Sequence, residues 1–373
     1  MRKAVVLIIV VILAVASLGV GYLVRVETSQ ASTETVTSTV TYFATSSVGT
    51  VPGALPIPVG TVQTGDIPIN GYLDPITVDP NSSRVYVPEA SSLLVVDADS
   101  HSVVANVTLP ASSNDGVTVD DATHTVYASV EGQISEIDAS TNAIIGKLPF
   151  DLGYLAYDPA TNTIFGNTVG GNQNENLVEA DPETGSVVSI LPLGFDVSGM
   201  ALDTATDTLY VSGCTTVLAC GSAVAIVDAK TATLVTTVDL NSQFFPAIAV
   251  NPSTNVLYVS GEGQLLALNG SDGKMIFDSY TQTCGPFLGM AIIPSSDQVL
   301  LIPQNYDYLL AYDGTSGNLV GMLSFPNPPQ SVAYDAGTGE SYVGLQGQLL
   351  AFRDPGTVGD VNSTLIGSGQ QCP

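Results

Sequence analysis

The chain has 373 residues and a formal charge of −27, from 8 Lys and Arg and 35 Asp and Glu. So few cations exclude a basic surface for nucleic acid or for anionic lipid, and a hydrophobic share of 45% excludes general disorder. The length allows one large domain or two smaller ones.

The N-terminus has the pattern of a membrane anchor. Arg2 and Lys3 precede an uncharged apolar run over residues 4–24. About 20 such residues span a bilayer as a helix, whereas the apolar part of a cleaved signal peptide has about 7–15. The run predicts an uncleaved signal anchor and transmembrane helix over residues 1–25, with cleavage near 14–16 and secretion as the alternative. The positive-inside rule predicts a single pass, with the N-terminus inside and the rest on the extracellular side.

A segment rich in Ser and Thr follows the anchor. Thirteen of the 23 residues from 28 to 50 are Ser or Thr, a composition typical of an exposed, O-glycosylated stalk. Residues 26–58 are therefore predicted to be stalk and linker. Residues 35–42 alternate in polarity with a period of two, so an alternative is a strand that pairs with the sheet edge of another subunit.

Four Asn-x-Ser/Thr sequences lie beyond the anchor, at Asn81, Asn106, Asn269 and Asn362. In an exported chain they are candidate glycosylation sites. A chain this rich in Asn, Ser and Thr also contains such tripeptides by chance, so they agree with export without proving it.

A weak repeat determines the predicted architecture. Residues 77–87, Thr-Val-Asp-Pro-Asn-Ser-Ser-Arg-Val-Tyr-Val, return in altered form six more times. Each copy has an apolar strand that usually ends at Asp or Asn, a polar turn, a second strand that often carries Tyr, and two further strands. The anchor positions, 38 to 48 residues apart, are 79, 120, 158, 203, 251, 293 and 335. Four short strands per unit of about 40–45 residues is the period of a propeller blade.

The sequence therefore predicts an all-β fold, one seven-bladed β-propeller of four-stranded antiparallel blades over residues 59–373. A closed ring needs a partner strand for the last blade. Two segments fit that place, residues 361–366 near the C-terminus and residues 59–64 at the start of the domain. The second would join both ends of the domain in one sheet.

The Asp-Pro, Val-Tyr-Val and Val-Val-Asp phrases of residues 79–97 resemble the YVTN-type β-propeller repeats of archaeal and bacterial surface proteins. The resemblance implies a cell-surface propeller and assigns no ligand. Residues 309–317 are also similar to a quinoprotein repeat. The docking Trp of that repeat is missing, because Leu319-Val320-Gly321 stands in its place and the chain has no Trp. This departure argues against pyrroloquinoline quinone as a cofactor.

Insertions are expected on one face of the propeller. Second-to-third loops and inter-blade connections carry the longer segments, which are residues 109–116, 169–176, 213–222, 241–246, 280–289 and 325–330. Long loops on a rigid scaffold often carry binding sites. This face is therefore the predicted binding face, with simple drift of loop sequences as the alternative.

Four Cys in an exported chain predict two disulfides. Of the three connectivities, the favoured one pairs Cys214 with Cys220 inside one loop. Cys284 then pairs with Cys372 and ties the C-terminal tail to an inter-blade loop. Zinc binding is a weaker alternative, because His partners and ligand spacing are absent.

Four acids stand where innermost strands are predicted to begin, at Asp74, Asp115, Asp151 and Asp196. Innermost strands line the central channel, and clustered carboxylates suit Ca²⁺. The alternative is that these acids cap turns. Turn capping is also the predicted role of the repeat aspartates, such as Asp79 and Asp120.

Catalytic motifs are scarce in this sequence. His101 and His124 lie in polar turns and are predicted to be exposed, which leaves no His for a Ser-His-Asp triad. We therefore predict a membrane-anchored extracellular module that binds or scaffolds a cell-surface protein, a glycan or a second copy of itself. The alternatives are a metal-dependent hydrolase or lactonase-like enzyme that uses the four acids, and a structural subunit of a surface layer or filament.

The charge is even more one-sided beyond the anchor. After Arg25 the chain keeps five cations and 35 acids, a formal charge of 5 − 35 = −30. Few ion pairs can stabilise such a domain. Below about pH 4 most of the acids lose their charge and their mutual repulsion, so the sequence suggests a surface protein of an acidic medium.

Overall fold

Seven sheets of four antiparallel strands make up the described part of the chain. The computed structural model describes residues 62–69, 75–169, 175–215, 221–243, 247–261, 263–281, 283 and 285–353, with the backbone alone at residues 62, 114–115 and 241–243. The predicted anchor and stalk lie before these residues. Within the described ranges, no helix is long and apolar enough to cross a membrane.

From the innermost strand outward, the first blade contains β2 (Thr77–Asp79), β3 (Arg84–Glu89), β4 (Ser92–Asp97) and β5 (Ser102–Thr108). The second contains β6 (Ser113–Asp120), β7 (Thr125–Val130), β8 (Gln133–Asp138) and β9 (Ala143–Leu148). The third contains β10 (Leu152–Asp158), β11 (Thr163–Thr168), β12 (Asn176–Asp181) and β13 (Ser186–Pro192).

The fourth blade contains β14 (Asp196–Asp203), β15 (Thr208–Cys214), β16 (Gly221–Asp228) and β17 (Thr233–Gln243). The fifth contains β18 (Ile248–Asn251), β19 (Val256–Gly261), β20 (Gln264–Asn269) and β21 (Met275–Tyr280). The sixth contains β22 (Phe287–Ile293), β23 (Gln298–Pro303), β24 (Tyr308–Asp313) and β25 (Leu319–Ser324). The seventh contains β26 (Pro329–Asp335), β27 (Glu340–Leu345), β28 (Gln348–Arg353) and β1 (Val62–Pro68).

The innermost strands form a closed ring. Each innermost strand contacts that of the next blade, and β26 of the seventh blade contacts β2 of the first. This arrangement confirms the predicted all-β, seven-bladed propeller. The fold was predictable because each copy of the repeat corresponds to one blade, with β1 as the outermost strand of the seventh.

The N-terminal strand completes the last blade. β1 pairs antiparallel with β28, from Val62 opposite Arg353 to Pro68 opposite Gln348. Of the two predicted closing segments, the N-terminal one is therefore correct, although the strand covers residues 62–68 rather than 59–64. Its pairing satisfies the backbone groups along the edge of β28.

A buried carboxylate holds the seam between the seventh and first blades. Glu340 on β27 is 1% exposed. Its Oε2 lies 2.7 Å from Nε2 of His101 in the first blade, and its Oε1 accepts a 3.0 Å hydrogen bond from Arg353. The His101 ring lies against Gly65 of β1, where a Cβ would approach its Cγ to 2.7 Å. The prediction that His101 is exposed is therefore wrong, whereas His124 is exposed as predicted.

Apolar side chains fill every seam between neighbouring blades. Seven buried clusters occur in the described residues, one per seam; Phe165 and Leu209, for example, share the seam of blades three and four. Each large side chain buried in this way contributes about 1.5–3 kcal/mol. The repeat Tyr also bonds across the seam, because Tyr258 Oη donates to the Gly314 carbonyl of the next blade at 3.0 Å.

Repeat aspartates cap the first-to-second turns, as predicted. Asp79 is buried, and its Oδ1 accepts from the backbone N–H of Asn81 at 2.9 Å. Equivalent bonds are made by Asp120, Asp158, Asp203 and Asp335. The last turn residue has a positive φ, for example 52° at Ser83, and the seventh blade uses Gly339 there. Glycine reaches this region of φ without steric cost.

The outermost strands of the blades bulge near their first residues. In β5, β9 and β13 the extra residues are Val104, Ile145 and Val188. Bulges twist an edge and disfavour pairing with a strand of another chain. The predicted pairing strand at residues 35–42 lies outside the described part of the chain, so its role stays a prediction.

The environment shifts the pKa of several described acids, in one of two directions. Hydrogen bonds from Ser100 and Thr141 hold the pKa of Asp97 and Asp138 below the ordinary value of 3.8. Both acids cap third-to-fourth turns. Burial instead raises the pKa of Glu136 above its ordinary value of 4.5. Acids whose pKa is lowered stabilise the fold when ionised, and those whose pKa is raised stabilise it when protonated.

We predict that the melting temperature rises as the pH falls from 7 to about 5, and falls again below about pH 4. Protonation first removes the cost of the buried charge on Glu136, whose folded pKa is raised. Below 3.8 the fold then loses the capping bonds of Asp138, whose folded pKa is lowered. Circular dichroism melts between pH 7 and pH 3 measure the profile. Asp138→Asn should reduce the loss of melting temperature below about pH 4. A melting temperature that falls steadily from pH 7 to pH 3 would contradict the account.

Candidate functional site

The connections divide the propeller into two faces. First-to-second and third-to-fourth turns are short, for example residues 80–83, and we call their side the short-turn face. The opposite side, which we call the cavity face, carries the second-to-third loops and inter-blade connections, including residues 109–112 and 325–328. For these two segments the predicted placement on one face is confirmed, whereas residues 170–174, 216–220 and 244–246 lie outside the described residues. Residues 113–116 and 241–243, however, belong to strands β6 and β17 rather than to loops.

The chain enters and leaves the propeller on the short-turn face. β28 runs from the cavity face towards the short-turn face and ends at Arg353. Val62, where β1 begins, lies opposite Arg353. The cavity face is therefore opposite to the face at which both ends of the described domain lie.

A cavity of about 760 Å³ lies at the centre of the cavity face. Six blades line it, mostly with residues at or near the start of their innermost strands: Pro75, Ile76, Tyr154, Val197, Ser198, Gly199, Met200, Ala247, Ile248, Phe287, Leu288, Gly289, Met290, Gln330, Ser331 and Val332. None of these lining residues is charged. Among the described residues the lining is therefore apolar with a few neutral polar groups, whereas Asp74 and the side chain of Asp115 lie outside the described residues.

Bulges in the innermost strands shape this lining. The register between first and second strands slips by one residue at Tyr154, Ser198, Leu288 and Gln330. All four line the cavity. A bulge re-aims the side chain of the extra residue and bends the strand, so the bulges account for why these residues face the cavity.

Two hydroxyl groups of the lining are unpaired. Ser331 is 4% exposed, and its Oγ has no hydrogen-bond partner among the described residues. The buried Oγ of Ser198 is unpaired in the same sense. Leaving a buried polar group without a partner costs about 1–3 kcal/mol. These two groups, on blades seven and four, are shielded from solvent, so a ligand in the cavity can bond to them once each Ser side chain rotates towards it.

The rim of the cavity face exposes large apolar side chains. Tyr280 is 67% exposed and Leu288 is 45% exposed. Val169, at the end of β11, is exposed on the same face. These three residues belong to blades three, five and six, so exposed apolar side chains occur on several sides of this face.

The predicted acids do not form a calcium site within the described residues. Asp74 lies outside them, as does the side chain of Asp115. Asp151 accepts a 3.0 Å bond from the Gly132 N–H and so caps a second-to-third turn. Neither Asp151 nor Asp196 lines the cavity. In the ranges that the structure describes, no three His, Cys, Asp or Glu side chains group together as metal ligands. Calcium binding therefore stays a prediction.

Asp196 has a neighbour that the sequence did not reveal. Glu175 accepts bonds from the Val197 N–H at 2.9 Å and from Asn167 Nδ2 at 2.8 Å. Burial raises the pKa of Glu175, and the charge of Asp196 raises it further. Glu175 follows an insertion and has no counterpart in the repeat, so no periodic signal pointed to it. With two bonds from N–H groups, its role is to join blades three and four.

The cysteines and glycosylation candidates are only partly described. Cys214, at the end of β15, is disulfide-bonded, but Cys220, Cys284 and Cys372 lie outside the described residues. The favoured pairing therefore stays a prediction. Asn81, Asn106 and Asn269 are exposed and Asn362 is beyond the described residues, so glycosylation also stays a prediction.

A comparison with known protein families identifies the family of the repeats. A family model described as outer membrane protein assembly factor BamB matches residues 173–363, just over half of the chain. The chain belongs to this family. Membership agrees with the propeller geometry, whereas the more specific YVTN type and the cell-surface location stay predictions.

Individual relatives are distant. Uncharacterized protein YncE of Salmonella typhi is 23% identical over 229 residues, 57% of this chain and 62% of the relative. The protein of the same name from Salmonella typhimurium strain LT2 is 23% identical over 227 residues, 54% of this chain and 62% of the relative. The chain thus matches less than two thirds of the length of either relative.

A solved structure shares the fold. Kuenenia stuttgartiensis hydrazine synthase is similar with a TM-score of 0.68 and 13% sequence identity. The match covers 78% of this chain and 98% of the other chain. At this identity the similarity concerns the fold alone.

We predict that Ser331→Ala leaves the melting temperature unchanged or slightly higher, because the hydroxyl that it removes has no partner. Ser260→Ala is the matched control. Ser260 is equally buried, and its Oγ exchanges hydrogen bonds with the backbone of Ala247 at 3.2 and 3.4 Å. Its loss should cost about 1–3 kcal/mol. Equal losses in the two variants, measured by circular dichroism, would show that Ser331 is paired and contradict the description of the cavity.

Proposed function

We propose that this protein is a membrane-anchored extracellular binding module that meets its partner through the cavity face. One observation carries the proposal: the uncharged cavity lies on the face opposite to the one where the chain enters the propeller. β1 begins and β28 ends on the short-turn face, so neither end of the described domain lies on the cavity face. A partner can therefore reach the cavity face without meeting these two ends.

The chemistry of this face favours a protein as the partner. Its rim exposes Tyr280, Leu288 and Val169, and the lining carries no charge. Aromatic and large apolar side chains provide most of the energy of protein interfaces. A glycan would need more polar groups around aromatic rings, and the formal charge of −30 beyond the anchor opposes nucleic acid. The family description names an assembly factor, which agrees with a partner-binding role.

The two alternatives lack such support. A hydrolase or lactonase-like enzyme would use Asp74, Asp115, Asp151 and Asp196, but the two described side chains lie away from the cavity. A structural subunit of a surface layer or filament would use the strand at residues 35–42, which is not among the described residues. We therefore favour the binding module.

The proposal is tested by capture of partners from the surface fraction of the parent cell with the soluble part, residues 59–373. We expect Tyr280→Asp and Leu288→Asp to reduce the captured partner at least tenfold, because a charge at the centre of an apolar interface is costly. Ile145→Asp and Val188→Asp are matched controls on the exposed outer strands. They should leave capture unchanged. Equal losses in both groups, or none in the first, would contradict binding through the cavity face.

A further inference from the structure

We propose that the central cavity binds a small, uncharged ligand with an apolar body and hydrogen-bonding groups that pair with Ser198 and Ser331. This inference goes beyond the partner-binding role, because it concerns a small molecule inside the cavity rather than a protein on its rim. It rests on the size of the cavity and, among the described residues, on the absence of charged side chains from the lining and on two hydroxyls without a partner.

The size of the cavity fits a small molecule. Its volume of about 760 Å³ falls within the range of about 300–1,000 Å³ that is typical of ligand sites. Interiors of proteins are otherwise packed to a density that leaves few voids larger than a water molecule. The seams around the cavity are well packed, so this space on the cavity face is large enough for a small molecule.

The absence of charge in the lining selects the class of ligand. Apolar residues, such as Met200 of the fourth blade and Phe287 of the sixth, provide most of the lining. An ionised ligand would lose its hydration there without gaining a charged partner, which is costly. An anion would in addition be repelled by a chain of formal charge −27. The ligand is therefore neutral.

The two hydroxyls define where the ligand is polar. Ser331 of blade seven and Ser198 of blade four have buried Oγ atoms without partners among the described residues. Both residues line the cavity. Ser198 is also the extra residue of a bulge, which aims its side chain out of the regular alternation. A ligand that bonds these hydroxyls recovers the cost of leaving them unpaired.

Gly289 allows the cavity to be filled on purpose. A Cβ at this position meets nothing closer than 3.5 Å, the backbone N of Val332. Gly289→Ala therefore fits without a clash, whereas Gly289→Leu adds a larger side chain beside Ser331 and Val332, which line the cavity. The pair separates the effect of occupying the space from that of losing a glycine.

The test uses the full chain in detergent and three fluorescent probes of similar size. These are 2-naphthol, which is neutral with a hydroxyl, 2-methylnaphthalene, which has no hydrogen-bonding group, and the anion 2-naphthalenesulfonate. We expect 2-naphthol to bind to the wild type and to Gly289→Ala. Gly289→Leu, which provides the detergent background, should not bind it. The Ser198→Ala/Ser331→Ala double variant should bind it at least fivefold more weakly, the effect of one neutral hydrogen bond of about 1 kcal/mol.

Three results would overturn the proposal. The first is that 2-naphthol binds equally well to the wild type and to Gly289→Leu. The second is that the sulfonate binds as strongly as 2-naphthol, and the third is that the double variant weakens the binding of 2-methylnaphthalene as much as that of 2-naphthol. Melting curves confirm that each variant is folded. Tyr280→Asp, which lies outside the cavity lining, should keep probe binding. If this variant loses partner capture but still binds the probe, the protein-binding rim and the ligand-binding cavity are separate sites, and each proposal can be tested without the other.

Discussion

The pairing of β1 with β28 is the constraint on which the rest of this structure depends. It joins the first described strand to the last one, so the ring cannot open without breaking a ladder that runs from Val62 to Pro68. Glu340 also stabilises the closure, at the seam between the seventh and first blades. Its buried carboxylate accepts a hydrogen bond from Arg353 of β28 and contacts His101 of the first blade. The chain has five cations beyond its anchor, and one of them is used at this point.

Closure fixes the geometry of the central cavity. Because the ring is complete, the starts of the innermost strands face one another around one axis, and bulged residues such as Ser198 and Gln330 reach into the space between them. Closure by the N-terminal strand also sets the polarity of the domain. Val62 and Arg353, the two ends of the described domain, both lie on the short-turn face, opposite to the cavity face. The proposed binding role and the proposed ligand both follow from this arrangement.

The acidity of the chain has a local explanation in the turns. Buried aspartates such as Asp79 cap first-to-second turns, and Asp97 and Asp138 cap third-to-fourth turns. Asp is the shortest side chain whose carboxylate accepts bonds from the next backbone N–H groups. A blade with two such turns therefore uses two acids, and repetition accumulates negative charge without any need for matching cations.

The sequence predicted the blades because turn chemistry and strand pattern repeat locally, as at Asp79 and Asp120. It did not predict the site, for two physical reasons. A bulge such as that at Ser198 shifts the alternation of side chains by one residue. Acids at equivalent positions of the repeat therefore need not all face the channel. Asp196, for example, is not part of the cavity lining. The contact of His101 with Glu340 joins residues at opposite ends of the chain, which no local pattern reveals.

Hydrogen exchange along β1 in the full-length protein tests the central claim most directly. Amides in the interior of a sheet exchange only when the structure around them opens. Closure by β1 predicts that the amides of residues 62–68 that bond to β28 exchange as slowly as those between β28 and β27. Rapid exchange of residues 62–68 beside a protected β28 would show that the ring is closed in another way, and would contradict the account.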